Sequence, residues 1–170
     1  MMLRALYELA QRQKLLENPD FEKKKIDFVL SVDDDGRAVS LVPMGDKIGR
    51  GKEIYVPRLP KRAYAIAAGF LSDKSEYVLG LAEEVTERTL RCAAEFKRLV
   101  DEAAAVVDDP GLRAVARFLA QRDTQVPGVA SQNQHGPWTG GEMLVFRYAP
   151  DDTLVHERPA VRQYWGQQRS

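Results

Sequence analysis

A single cysteine, Cys92, stands in the 170 residues. That excludes an internal disulfide framework and fits a reducing, cytoplasmic compartment. Histidine is nearly as scarce. His135 and His156 are not at metal-ligand spacing, and His156-Glu157 lacks the second histidine that a zincin needs. Neither a metal nor a cofactor is expected. There is no net charge, with 25 Lys and Arg against 25 Asp and Glu, so a basic surface can arise only by segregation along the chain. No apolar run approaches the ~20 residues that cross a bilayer. Met1 to Tyr7 has no apolar core or small-residue cleavage site, so no signal peptide is expected. Catalytic signatures are missing too. There is no G-x-S-x-G elbow and no G-x-G-x-x-G after a strand. Gly51-Lys52 is followed by Glu53, not by the Ser or Thr of a phosphate loop. Asp33, Asp34 and Asp35 lack calcium-loop spacing and a distal Glu. No carboxylate pattern places two in one cleft. An enzyme is not expected, and a binding role is favoured by default.

What is present suits one soluble domain. Apolar residues make up 44% and charged residues 29%, and a chain of this length buries roughly 70% of its unfolded surface. Residues 3–17 read as a helix ended by Asn18-Pro19. Phe21 to Lys25 is a charged lead-in, with Lys23-Lys24-Lys25 read as a solvated edge. Strands are expected at 26–32, 37–42, 53–57 and 143–148, the first two forming a hairpin on Asp34-Asp35-Gly36. A helix over 82–107 would bury Val85, Thr89, Cys92, Phe96, Leu99, Val100, Ala103 and Val107, with Glu84–Arg88 and Glu87–Arg91 pairs outside. Asp109 as N-cap and Pro110 at the first position open another helix, to about Arg122. Residues 124–141 read as a long polar loop, mobile or functional, with Trp138 as its anchor. Leu154 to His156 reads as a short strand. Pro159 opens a last helix, which carries Val161, Tyr164 and Trp165 and stops before it buries much. The expected fold is α+β, a small, mostly antiparallel sheet packed against helices, with the N-terminal helix alongside.

Positive charge is segregated. Between Met44 and Lys74, Lys47, Arg50, Lys52, Arg58, Lys61, Arg62 and Lys74 outnumber Asp46, Glu53 and Asp73. The glycine-bearing loop 43–52 suits contact with a nucleic-acid backbone, since glycine permits close approach and cations neutralise phosphates. It equally suits an exposed loop without function. Tyr55 and Tyr64 lie among these cations, where bases could meet a basic surface, but such aromatics more often pack half-buried.

Several phrases, in shared order along the chain, resemble a known family. They are Met2-Leu3-Arg4-Ala5-Leu6-Tyr7, Ile26 to Gly36, Val56-Pro57, Lys61-Arg62, Phe70-Leu71, Asp73-Lys74 and Tyr77-Val78-Leu79-Gly80. They continue with Asp108-Asp109-Pro110-Gly111-Leu112, Phe118-Leu119, Val145-Phe146-Arg147 and Arg158-Pro159-Ala160-Val161-Arg162. This order resembles the CRISPR-associated Csd-type proteins, the large subunit of the subtype I-C Cascade complex. The resemblance implies that 1–170 is a single N-terminal domain of a longer large subunit. It further implies a non-catalytic role in an RNA-guided surveillance complex: binding duplex DNA at the protospacer-adjacent motif (PAM) and helping to start the R-loop. Partners would be other Cascade subunits, the CRISPR guide RNA, target duplex DNA and a helicase-nuclease recruited afterwards. Guide pairing reads the sequence while the protein reads shape and the PAM, a division known for another effector. On this resemblance Lys47, Arg50 and Lys52 are expected at phosphates and Lys74 with Ser72 at the PAM. Arg58, Lys61 and Arg62 are expected at DNA or the guide-RNA end. The chain departs from the family before Phe70, where Ala65 to Gly69 replace a Gly-Ile-x-Pro-polar run, and after Leu71, where Ser72 stands for a common Trp. That shifts DNA reading toward backbone groups and Lys74. The alternative is an interaction module that docks on another Cascade subunit or on a phage inhibitor.

Overall fold

The computed structural model describes Leu6, residues 8–10 and residues 18–169. The helix expected at 3–17 otherwise lies outside the described residues. Strands β1 (Phe21–Ile26), β2 (Phe28–Val32), β3 (Ala38–Pro43), β4 (Lys52–Pro57) and β5 (Ser72–Lys74) are followed by a short helix α1 (Ser75–Val78). Helices α2 (Glu87–Val106), α3 (Pro110–Ala120) and α4 (Arg122–Ala130) come next, then β6 (Met143–Tyr148), β7 (Thr153–Leu154), a 3₁₀ turn (Val155–Glu157) and α5 (Pro159–Arg169). The fold is α+β.

The main sheet runs β3-β2-β6-β5, with β7 added to β6. All its pairings are antiparallel except β2 with β6. Side chains alternate across a strand, and here both faces are covered. Phe28, Leu30, Val32, Leu144 and Phe146 face Phe96, Val100, Leu112, Val115 and Phe118 of α2 and α3. On the other face Val29 and Val145 meet Ile26 and Val56 of a separate two-stranded ribbon, β1 with β4. The molecule is therefore three layers: ribbon, sheet, helices. Burial on both faces explains why all five residues of β2 are inside.

The ribbon corrects two expectations. The strand expected at 26–32 is two strands, broken at Asp27. The strand at 53–57 leaves the main sheet to pair with Phe21–Ile26, which the sequence offers only as a charged lead-in. The three lysines hide that strand by making it look like a solvated charged run, although Phe21 and Ile26 at its ends are buried. Lys23 reaches Glu53 across the ribbon at 3.7 Å, Lys24 reaches Glu22 at 3.6 Å, and Lys23 also sits 5.5 Å from the Tyr55 ring centroid.

The long helix starts at Glu87, not at Ala82. Thr86 and Thr89 form a reciprocal capping box there, with Thr86 N donating to Thr89 Oγ1 at 3.1 Å. Val85 is consequently exposed, while Thr89, Cys92, Phe96, Val100 and Ala103 are buried as expected. The outer face is laced by Lys97–Asp101, Arg98–Glu95 and Arg98–Glu102, not by the pairs expected nearer its start. Asp109 caps α3 through Leu112 N at 2.9 Å, as its sequence predicts.

The expected loop at 124–141 is helical up to Ala130, with Pro127 inside the helix. Its glutamines have a specific use. Gln125 Oε1 accepts from Ala38 N at 3.0 Å and Gln132 Oε1 from Leu41 N at 3.1 Å, which seals the free edge of β3. Arg122, at the start of α4, donates to Val78 O at 3.2 Å and Ala93 O at 3.0 Å, tying α1 and α2 together. Trp138 anchors the following turn against Phe28, with ring centroids 5.3 Å apart, and donates Nε1–H to Ala130 O at 3.1 Å. The short strand expected at 154–156 is the two-residue β7 running into the 3₁₀ turn, because Val155 and His156 both point inward and cannot alternate. The last helix buries more than expected: Val161 is inside, Trp165 stacks on Phe70 at 5.2 Å, and Trp165 Nε1 donates to Asp20 O at 2.9 Å. Among the described residues no helix is long and apolar enough to cross a membrane.

Candidate nucleic-acid interface

Strands β2 and β6 are parallel and start at the same end of the sheet, and Asp27 organises that end. Its backbone N donates to Met143 O at 2.9 Å, and its carbonyl accepts from Met44 N at 2.8 Å. Its carboxylate accepts from Gly49 N at 2.8 Å and Met143 N at 2.9 Å. One buried side chain thus fastens the loop between β3 and β4 to the beginning of β6. The loop needs its glycines. Gly49 has φ 83°, and a Cβ on Gly51 would collide with the Ile26 carbonyl. Lys47 and Arg50 project from this tight loop and Lys52 from the start of β4. All three are exposed, and none pairs with a carboxylate among the described residues.

Lys74 lies at the same end. In the β5–β6 register Lys74 is opposite Met143, while Asp73 is opposite Leu144. Asp27, Met143 and Lys74 therefore stand side by side at strand spacing, which sets Lys74 about 10 Å from Asp27. Lys74 is exposed and unpaired among the described residues. The fold thus gathers Lys47, Arg50, Lys52 and Lys74, although they are far apart in sequence.

The chain from Arg58 to Ala67 is a surface loop held at several points, and Ala68 to Leu71 then enter the core. Arg58 N donates to Asp20 O at 2.8 Å, and its guanidinium donates to Pro19 O at 2.9 Å and Phe21 O at 3.2 Å. Leu59 N donates to Glu22 Oε2 at 2.6 Å. Arg62 closes the loop. Its guanidinium makes a forked pair with Asp73 at 2.8 and 2.6 Å, donates to Ala67 O, and lies 4.1 Å from the Tyr77 ring centroid. Asp73 is fully buried and also accepts from Gly69 N at 2.6 Å and Lys74 N at 2.7 Å. The hydrogen bond to Asp73 holds the Arg62 guanidinium even more firmly protonated than usual.

Two of the expected contact residues are therefore inside. Ser72 is wholly buried, and its Oγ donates to Leu144 O at 3.1 Å, so it does not reach the surface. Arg62 is committed to Asp73. Arg58 is exposed, but its guanidinium is engaged with backbone carbonyls. Lys61 is exposed on the same loop. Tyr55 is half-buried, as expected for a packing aromatic, whereas Tyr64 is not packed at all. The sequence reading missed Asp27 and Asp73, the two carboxylates that build the site. Asp27 had a visible signal, as the one charged residue in the apolar run 26–32. Asp73 had none, because its partner lies in a loop eleven residues earlier. Among the described residues no group of three or more His, Cys, Asp or Glu is placed to hold a metal ion.

Residues 3–170 match the family of CRISPR-associated protein (Cas_Csd1). The chain belongs to that family and is a CRISPR-associated protein. No curated protein matches it.

Proposed function

We propose that this member of the Cas_Csd1 family acts as part of a non-catalytic large subunit of a subtype I-C Cascade complex, where it binds PAM-proximal duplex DNA and assists R-loop initiation. One observation carries the reading: Lys47, Arg50, Lys52 and Lys74 meet at one end of the sheet, exposed and unpaired among the described residues. Cations without carboxylate partners are free to displace the counterions of a phosphate backbone, which is the main source of affinity for nucleic acid. The loop that carries Lys47 and Arg50 is tied to the start of β6 through Asp27, which holds its backbone near β5. Lys61 extends this surface along the clamped loop. Arg62 and Ser72 serve it indirectly, by fixing that loop and β5. Family membership favours other Cascade subunits, guide RNA, target duplex and a later helicase-nuclease as partners, in the cytoplasm.

The test replaces Lys47, Arg50, Lys52 and Lys74 together by Ala in the assembled complex and measures target-duplex affinity against salt. Affinity should fall, and the slope of log K against log salt should flatten by up to about 0.9 for each phosphate no longer neutralised. Unchanged affinity at ~0.15 M salt overturns the reading. Salt-sensitive binding to another subunit, with DNA affinity untouched, replaces it with the interaction module.

A further inference from the structure

Tyr64 is 90% exposed, more than any other large apolar side chain among the described residues. A tyrosine waving on a free loop would need no explanation, because single exposed apolar residues are normal. This loop is not free. The Tyr64 carbonyl accepts from Arg88 Nη1 at 3.0 Å. Arg62, two residues earlier, is locked on Asp73 and Ala67. Leu59 N is held by Glu22. The ring is presented from a pinned arch, with exposed Ala63 and Ala65 on either side and exposed Lys61 three residues before it. Asp73, the anchor of Arg62, directly precedes exposed Lys74.

We propose that Tyr64 is a stacking platform for an unpaired nucleobase, with Lys61 and Lys74 on the flanking phosphates. The inference rests on the nucleic-acid reading above and adds its ligand class: a strand with a splayed base, not only a closed duplex. An open aromatic face beside unpaired cations is the composition of single-strand binding surfaces, and stacking tolerates any base because every base has a π-face. The clamps fix the loop before binding, so little ordering cost remains when the base arrives. Burial in a protein interface fits less well. A tyrosine hot spot needs a rim of packed neighbours that exclude water, and Ala63 and Ala65 offer almost none.

The experiment uses the complete subunit in its assembled complex. Probes are a target duplex with one unpaired base, the same duplex fully paired, and labelled guide RNA. Tyr64→Ala should weaken binding of the strand carrying the splayed base, in DNA or in RNA, roughly five- to a hundredfold. Tyr64→Phe should stay near wild type, since the π-face is kept. Neither should change the salt slope, because every phosphate keeps its cation, whereas Lys61→Ala with Lys74→Ala should flatten it. A loss of affinity confined to the DNA probe assigns the base to the target, and a loss of guide retention assigns it to the RNA; either supports stacking. If Tyr64→Ala binds all probes as wild type while the lysine pair weakens them, stacking is overturned and the nucleic-acid reading stands. If neither matters, stacking is overturned and Lys61 and Lys74 leave the nucleic-acid surface, while the quadruple variant above decides the rest of that reading. If Tyr64→Ala lowers incorporation into the complex with binding per assembled complex unchanged, the ring is a protein contact and stacking is overturned.

Discussion

Arg62 and Lys61 are neighbours in sequence with opposite fates. Lys61 stands in water, while the Arg62 side chain is 14% exposed and pairs with an Asp73 that is not exposed at all. A planar guanidinium meets a carboxylate through two parallel bonds, which an ammonium cannot copy. Breaking such a buried pair leaves an uncompensated charge and costs about 3–5 kcal/mol. Arg62→Ala should therefore lower the midpoint of urea unfolding sharply, and Arg62→Lys should recover only part of the loss. Lys61→Ala should stay within about 0.5 kcal/mol of wild type. A small effect of Arg62→Ala would mean that the ion pair does not hold the loop. Composition identified the basic stretch but could not sort its members, because the sorting depends on where one carboxylate lands in β5. Ser72 is the same case: it looks like a polar contact residue in the sequence, and the register of β5 against β6 turns it inward.

Asp27 shows the same logic for an element. The β3–β4 loop packs Met44 and Ile48 against the core, and its shape depends further on hydrogen bonds to that one carboxylate and on glycines at Gly49 and Gly51. Asp27→Asn keeps the shape of the side chain but turns one acceptor into a donor facing an N–H. That mismatch should cost about 1–3 kcal/mol. Amide exchange at Gly49 and Met143 should speed up, while amides within α3 keep their protection. Unchanged exchange at both positions would remove Asp27 as the fastener. Element identity was largely legible where period and caps agree, as at β6, α3 and the hairpin on Gly36. It failed where a tertiary partner decides. The lysines of β1 conceal a strand that exists only because β4 lies beside it, and Gln125 of α4 and Gln132 just after it look like loop residues until the edge of β3 is placed next to them.

Across the whole molecule, the three layers are pinned together by few polar contacts, and His156 is one of them. It is wholly buried in the 3₁₀ turn after β7, and its Nε2 lies 2.8 Å from Tyr55 O in the ribbon. Neutral imidazole suits this place: Nε2–H donates to the carbonyl, and Nδ1 has no partner to welcome a second proton. Desolvation accordingly pushes the His156 pKa down to about 4, against a smaller opposing effect of the Tyr55 carbonyl. The sign of the pH effect follows. Below the unfolded value near 6.5 the unfolded chain takes up a proton that the folded one refuses, so stability falls as pH falls. The loss runs at about 1.4 kcal/mol per pH unit between about 6.5 and 4, about 3 kcal/mol in all, and this residue adds no further loss below that. Carboxylates contribute their own acid destabilisation, so the measurement is a difference between two proteins. His156→Gln keeps a donor within reach of Tyr55 O and cannot titrate. Its stability, plotted against pH, should converge on or cross that of the wild type between pH 6.5 and 4 and run parallel to it above 7. Parallel curves over the whole range would show that His156 is solvated enough to protonate in place, and that the ribbon does not seal this side of the sheet.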